Sequence, residues 1–257
     1  MIGFCPLASG SKGNCIYLGT THTKILLDAG LGVRGTEERL ATLGISLGDI
    51  EAILVTHEHT DHIRGLSSLA CKKGIPVFAN SETAKAILSQ MEESPKFRIF
   101  STGETFEFGD LEIHPFSIQH DTLDPVAFTI RAEGHKVGFC TDLGCVTTLV
   151  TRHLQGCDYL YVEANHQPSM VHACNRPLVY KQRVLGRQGH LSNQECAELI
   201  ALVAHKDLQH IHLAHLSSEC NHPDLALKMI REKLDDIGLQ VPVSIAWQDK
   251  PSQPILF

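Results

Sequence analysis

The stretch Ile53-Leu54-Val55-Thr56-His57-Glu58-His59-Thr60-Asp61-His62 constrains this chain most, because an apolar run stops there against four residues able to hold metal. Ile53 to Val55 are apolar on both faces, as a strand covered on both sides must be, and polar residues begin where such a strand would emerge. His57 and His59, two apart, project to the same side of an extended segment and can share one ion. Asp61 and His62 open the helix suggested by Ile63, Leu66, Leu69 and Ala70, so they aim elsewhere and suit a second ion. Imidazole with carboxylate suits zinc, with iron or manganese as substitutes. A lone His-x-His is more often a histidine-rich surface loop, whereas the full pattern at a strand end favours metal.

The remaining chain is long enough to enclose such a site. Its 257 residues, 43% hydrophobic, can bury one large core, and we expect a single domain over residues 1–257. No run approaches the roughly eighteen apolar residues of a membrane span, and Met1 to Cys5 lack a basic segment leading into an apolar one, which predicts a cytoplasmic protein away from membranes. Nine cysteines without repeating spacing read as buried reduced thiols, with Cys140 and Cys145 as exceptions near the site. The net charge of −7 argues against coating nucleic acid by bulk electrostatics. Yet residues 164–194 hold no carboxylate and four cations, Arg176, Lys181, Arg183 and Arg187, which form either a solvated face or a phosphate-binding surface.

Read in order, the chain alternates strands and helices. Strands are expected at 2–7 and 14–18 around the small polar loop Ser9 to Asn14, which either turns a hairpin or brings backbone close to a ligand; Ser11 and Asn14 are its candidate substrate contacts. A strand at 24–27 ends in Asp28. A helix over 35–43 precedes the metal strand, and two further strand–helix units follow, at 77–78 with a helix from Ser81 that buries Ala84, Ile87 and Leu88, then a strand at 97–100. Gly109-Asp110 marks a hairpin between 106–108 and 111–118, and Gly134 another between 126–130 and 136–140, so the sheets should be mixed.

Potential ligands recur at strand ends. His120 follows the 111–118 strand and is the third candidate for the first ion. Asp142 follows the 136–140 strand and is a candidate bridge between ions. The 158–162 strand ends in Glu163-Ala164-Asn165-His166. The 209–214 strand ends at His215, a candidate for the second ion, with His210 and His212 on the face opposite Ile211 and Leu213. Ser192 and Glu195 form a capping box for a helix burying Cys196, Leu199, Ile200 and Val203. His190 and Ser192 therefore lie at a helix N-terminus, where free N–H groups favour anions. A helix after Asn221-His222-Pro223 buries Leu227, Ile230 and Leu234, a last strand covers 243–246, and the tail to Phe257 carries no readable chemistry.

The ordered set Asp28, His57-Glu58-His59-Thr60-Asp61-His62, His120, Asp142 and His215 resembles the five motifs of the metallo-β-lactamase-fold hydrolases across nearly the whole chain. That resemblance implies an αββα sandwich of two mixed β-sheets flanked by helices, with two divalent ions in the cleft between the sheets and Asp28 hydrogen-bonding behind the ligands. Within the superfamily, Ser9 to Cys15, His120-Asp121 with Asp124-Pro125, Glu163 to His166, Gly189 to Asn193, and His215-Leu216-Ser217 with Asn221 resemble the YycJ/WalJ-like bacterial exonuclease group. This places His166 and Asn221 behind the ligands. The Glu163 and His190 segments are also similar to the glutamate–histidine pair of tRNA 3′-processing endonucleases, and Gly-His-Leu-Ser to a phosphate-contacting motif of ribonuclease J.

The expected chemistry is therefore two-metal phosphodiester hydrolysis, most specifically 5′-to-3′ exonuclease action on DNA. Asp61 and Asp142 would hold ions and a shared water, His190 would contact phosphate or protonate the leaving oxygen, and Glu163 would orient His190. A small-molecule hydrolase acting on a cyclic phosphodiester, thioester or lactone is one alternative, since the fold does not fix the substrate, and a non-catalytic metal or nucleic-acid binding module is another. Monomer and homodimer both stay open.

Overall fold

The computed structural model describes residues 1–257 as two seven-stranded mixed sheets packed face to face with helices on both outer sides. In the first sheet, β1 (Gly3–Ala8), β2 (Cys15–Gly19) and β3 (Lys24–Leu27) form an antiparallel meander, and β4 (Ala52–Leu54), β5 (Val77–Ala79) and β6 (Phe97–Ile99) continue it in parallel. The second sheet repeats this plan. There β7 (Phe106–Phe108), β8 (Leu111–Ser117), β9 (Val126–Ala132) and β10 (His135–Cys140) are antiparallel, while β11 (Tyr159–Glu163), β12 (His210–Ala214) and β13 (Val243–Ile245) add in parallel. The parallel halves need helical crossovers, and those helices make the outer layers.

Three apolar layers follow from the alternation of side chains along the strands. Phe4, Leu18, Leu27, Phe128 and Tyr159 fill the space between the sheets. Tyr17, Leu26 and Ile53, on the other face of the first sheet, pack beneath α1 (Val33–Ala41) and α3 (Ser81–Gln90). Cys140, Val162 and Leu213 pack beneath α4 (Thr148–Leu154), α7 (Asn193–Val203) and α8 (Pro223–Asp236). Each fully buried large side chain contributes about 1.5–3 kcal/mol. All nine cysteines are free. Cys140 lies in the second-sheet core with burial pushing its thiol well above the ordinary value, so it is a packing residue rather than the exception expected near the site.

Most strand and helix positions follow the expected pattern, with four differences. Leu88 is exposed, because α3 packs through Thr83, Ala84 and Ile87 alone. The tail is structural: Ile255–Leu256 forms β14, an antiparallel edge strand against β1. α4 was not anticipated, although Thr147 caps it by accepting from the Val150 amide. Finally, the carboxylate-free segment folds into two short helices, α5 (Pro168–Ala173) and α6 (Leu178–Leu185), which bury little more than Val171 and Val184 and so carry no helical period to read.

No helix is long and apolar enough to cross a membrane.

Candidate metal centre

The donors reach one cleft because the strands that carry them end at the same edge of the sandwich. β4 runs into His57 and His59, and the single turn α2 (Thr60–Ile63) then turns Asp61 and His62 inward. Across the cleft the ends of β8, β10, β11 and β12 deliver His120, Asp142, Glu163 and His215. Asp28, Asp142 and His215 hold φ of 60°, 57° and 53°, the left-handed region that costs a non-glycine residue about 1–3 kcal/mol. All three stand just beyond a strand end, where that turn swings the side chain out of the sheet register and into the cleft. Gly30 lets the metal loop seat: a Cβ there would stand 1.8 Å from the Asp61 carbonyl oxygen.

The donor atoms form two adjoining sets. His59 Nδ1 lies 3.2 Å from His57 Nε2 and 3.2 Å from His120 Nε2. His62 Nε2 lies 3.4 Å from Asp142 Oδ2 and 3.6 Å from Asp61 Oδ2, and His215 Nε2 is 3.8 Å from Asp61 Oδ2. Donors about 2.0–2.1 Å from a tetrahedral zinc stand roughly 3.3 Å apart, so these spacings suit one ion in each set. Asp142 Oδ1 is 3.8 Å from His120 Nε2, which puts its carboxylate between the sets.

The opposite nitrogen of each histidine fixes which atom faces the cleft. His62 Nδ1 donates to Asp28 at 2.8 Å, His120 Nδ1 to the Gly189 carbonyl at 3.1 Å, and His215 Nδ1 to Glu163 at 3.0 Å. His57 Nδ1 meets the Thr56 hydroxyl at 3.0 Å. His59 is the reverse case, with Nε2 turned to Asp121 at 3.6 Å and Nδ1 inward. Such partners set tautomer and ring orientation in metal sites. Thr56 had no sequence signal, yet its amide and hydroxyl both donate to Asp28, linking two supports.

Charge also favours cations here. Burial alone would discharge His62 and His215, but Asp28 and Asp142 raise the first well above the ordinary imidazole value, and Asp142, Asp61 and Glu163 raise the second. Burial opposes ionisation of Asp142 too, yet His215 and His62 hold its carboxyl well below the usual range. The pocket thus carries carboxylate charge that attracts protons onto its histidines or metal in their place. Asp142 Oδ2 and His215 Nε2 are buried without a hydrogen-bond partner, each a cost of about 1–3 kcal/mol that a cation would remove. On donor type, spacing and these two orphaned atoms, the residues fit a pair of divalent ions.

Glu163 is the hub behind the centre. It is 0% exposed; Oε1 accepts from His190 Nδ1 at 2.7 Å and from His215 Nδ1, while Oε2 accepts from the Leu143 and Leu191 amides. Burial pushes its pKa up, but His190 and His215 outweigh that and hold it at about 2. Asp142, Glu163, His190 and His215 are close enough to suggest another ligand group. Their shortest contacts, 2.7 and 3.0 Å, are hydrogen bonds from Nδ1 to Glu163 and leave the Nε2 atom of His190 for the cleft.

The cleft encloses about 300 Å³, with Ser11, Asp61, His120, Asn165, Tyr180, Arg183 and His190 in its walls. The other sequence candidates fall in four places. Asn14 sits behind the wall, donating to Asp61 at 3.1 Å. Asn221 brackets the Ala164 and Asn165 carbonyls, and Ser192 is used up as the expected α7 cap; neither opens on the cleft. His166 is buried beside Ser192, with its carbonyl accepting from the Asn193 amide. Of the basic stretch only Arg183 reaches the cleft, and it is paired with Asp121; Arg176 is paired with Glu219, Lys181 donates to the His172 carbonyl, and Arg187 lines a neighbouring depression. Asn165 and Tyr180 are wall residues that the sequence reading did not select.

A family model described as the beta-lactamase superfamily domain matches residues 23–213. The exodeoxyribonuclease YycJ of Bacillus anthracis is 36% identical over 93% of this chain and 91% of its own. The exodeoxyribonuclease WalJ of Streptococcus pneumoniae serotype 2 is 35% identical over 95% of this chain and 92% of its own. Among solved structures, the metallo-beta-lactamase fold protein YhfI of Bacillus subtilis is similar in fold, with a TM-score of 0.74 at 14% identity, covering 97% of this chain and 98% of that one. The expected architecture and the matched sequence agree: this chain belongs to the metallo-β-lactamase-fold superfamily of metal-dependent hydrolases, in its YycJ/WalJ-like group.

Proposed function

We propose that the protein is a nuclease that hydrolyses phosphodiester bonds of DNA from the 5′ end. In this reading His57, His59 and His120 would hold one divalent ion and Asp61, His62 and His215 a second, with Asp142 available to either set. Zinc suits the imidazole-rich set, with manganese or iron as substitutes. Bound ions of this kind make hydroxide available near neutral pH and offset charge gathering on the phosphate.

The observation that carries the reading is His190, held at Nδ1 by the buried Glu163 carboxylate while its ring forms part of the cleft wall. When Nε2 is protonated as well, the imidazolium can donate to a phosphate oxygen or pass that proton to the departing oxygen. Glu163 keeps Nδ1 protonated and steadies the imidazolium that forms when Nε2 accepts a proton again. Because Glu163 also holds His215, the acid is fixed in register with the donor sets. Arg183, half-exposed beside the cleft, can exchange Asp121 for a phosphate at little cost, since exposed ion pairs contribute about 0–1 kcal/mol. The names of the two relatives, both exodeoxyribonucleases, support the DNA assignment.

The pairing of Arg176 and Arg183 with carboxylates favours a second reading, a hydrolase of small phosphodiesters or other esters that has no need of a basic track. One experiment separates the two. Protein loaded with manganese or zinc is given internally labelled, 5′-phosphorylated duplex DNA, with Asp61→Ala protein alongside. Progressive release of mononucleotides by the parent alone supports the exonuclease. An intact duplex, with metal content verified and a small chromogenic phosphodiester turned over, transfers the assignment to the small-molecule reading.

A further inference from the structure

Unpaired positive charge is not confined to the basic stretch, where Arg176 and Arg183 are paired and Lys181 and Arg187 are not. Lys12, Arg39, Arg64 and Lys250 form no ion pair. Arg39 and Arg64 instead donate to backbone carbonyls, Arg39 to Leu7 and Asp249, Arg64 to Lys12 and Gly30, and so keep their full charge while fixing the loops between them. Those two loops are joined: the Ser9 amide donates to the Trp247 carbonyl at 3.0 Å, and the Lys12 amide to Gln248 Oε1 at 3.2 Å. Ser11, between these contacts, is in the cleft wall. Trp247, the one tryptophan of the chain, is 37% exposed here, with the Lys250 ammonium 4.8 Å from its ring centroid. Asp249 is the one carboxylate in the Trp247 to Ser252 segment.

An exposed aromatic ring among uncompensated cations, continuous with a hydrolytic cleft, matches how proteins hold a single nucleic-acid strand. Cations track the phosphates while a base stacks on the ring without regard to sequence. We propose that Trp247, Lys250 and Lys12 form a strand-binding rim that receives an unpaired stretch of the substrate next to the cleft. The inference rests on the nuclease reading and adds a surface to it: with Arg176 and Arg183 paired to carboxylates, this rim supplies unpaired cations next to the cleft. Arg39 and Arg64 are positioning residues, which present the loops and add to the field.

Because the chain has a single tryptophan, its emission reports on the rim directly. The full-length, metal-loaded protein is titrated with a twelve-nucleotide single-stranded DNA whose phosphorothioate linkages resist cleavage, following tryptophan emission and the anisotropy of a dye on the oligonucleotide. Emission should quench in step with anisotropy. Trp247→Ala should weaken binding about ten-fold and Trp247→Phe much less. Lys12→Ala and Lys250→Ala should each lower the slope of log affinity against log salt by roughly one unit or less. Turnover of a small chromogenic phosphodiester should not change in any of these variants, a control for folding and for the metal centre. Oligonucleotide binding with unaltered emission, or equal affinity in Trp247→Ala, overturns the rim and leaves the nuclease reading standing. Absence of binding by anisotropy, with the small diester still hydrolysed, overturns the rim, and the duplex assay alone then decides the nuclease reading.

Discussion

His212, in the middle of β12, and His215, just past its C-terminal end, are both buried, and the protein treats their protons in opposite ways. His215 faces Asp142, Asp61 and Glu163, and despite burial its imidazole is raised well above the ordinary value. His212 points the other way, beneath the tail, where it donates to the Gln253 carbonyl at 3.0 Å and meets the edge of Phe4. Burial lowers its pKa to about 3, and His210 beside it adds to the fall. One strand thus separates a region that welcomes cations from one that rejects them. The difference lies in the carboxylates that other strands bring to one end only, so residue type by itself assigns neither role.

The largest effect should come from removing charge where the two donor sets meet. Asp142→Asn keeps a residue that tolerates the left-handed backbone. Its neutral amide, however, takes from His215 its principal carboxylate and from His62 the one that ranks after Asp28. We expect bound metal to fall by one ion or more and phosphodiester turnover by at least about 10³-fold, at the upper end of what losing one electrostatic group costs an active site. His215→Asn should behave alike, whereas His212→Gln should retain both ions. Metal content of the purified variants, read by mass spectrometry, checks all three, and full metal in Asp142→Asn would remove the bridge from the centre.

His190 tests whether the cleft contains a second kind of histidine, one that moves protons rather than holding metal. His190→Ala should keep its metal and lose about 10²–10⁴-fold in kcat. Glu163→Gln should do this and also loosen metal, because the same carboxylate holds His215. Loss of metal from His190→Ala would make it a ligand instead.

The comparison also explains which parts were legible in the sequence. That His57, His59, Asp61, His62, His120, Asp142 and His215 come together was legible because each follows an apolar run whose end fixes where the side chain emerges. The hairpins at Gly109 and Gly134 were legible for the same reason, local turn chemistry. The roles of Asn14 and Thr56 were not, because each depends on a partner chosen by packing, Asp61 and Asp28. The basic stretch misled for that reason too. Asp121 and Glu219, which neutralise Arg183 and Arg176, lie 62 and 43 residues away, so composition within a window could not register them. The edge strand β14 is equally non-local, being defined by its pairing with β1 at the other end of the chain.

Smaller effects should follow from disturbing what stands behind the donors. Asp28→Asn leaves the His62 ring in place but makes its Nε2 a weaker donor, and metal affinity should fall about 10–100-fold. Chelator competition measures this. Thr56→Val, which removes a hydroxyl shared by Asp28 and His57, should produce part of the same loss.

Acid supplies the last and smallest test, through stability. His212 has a folded-state pKa of about 3 against roughly 6.5 when unfolded, so below pH 6.5 the unfolded chain binds a proton that the folded chain refuses. Its contribution to stability is whole above pH 6.5 and declines steadily as the pH falls toward 3. Between pH 7.5 and 5 this one group should remove about 2 kcal/mol. The charged groups of the cleft titrate as well, so the measurement is a difference: urea unfolding of the parent and of His212→Gln at both pH values. Gln can still donate to the Gln253 carbonyl but has no proton to gain. The variant should therefore lose about 2 kcal/mol less than the parent over that interval. Equal losses would mean that His212 is hydrated or charged in the folded protein, and the two histidines would then differ in metal binding alone.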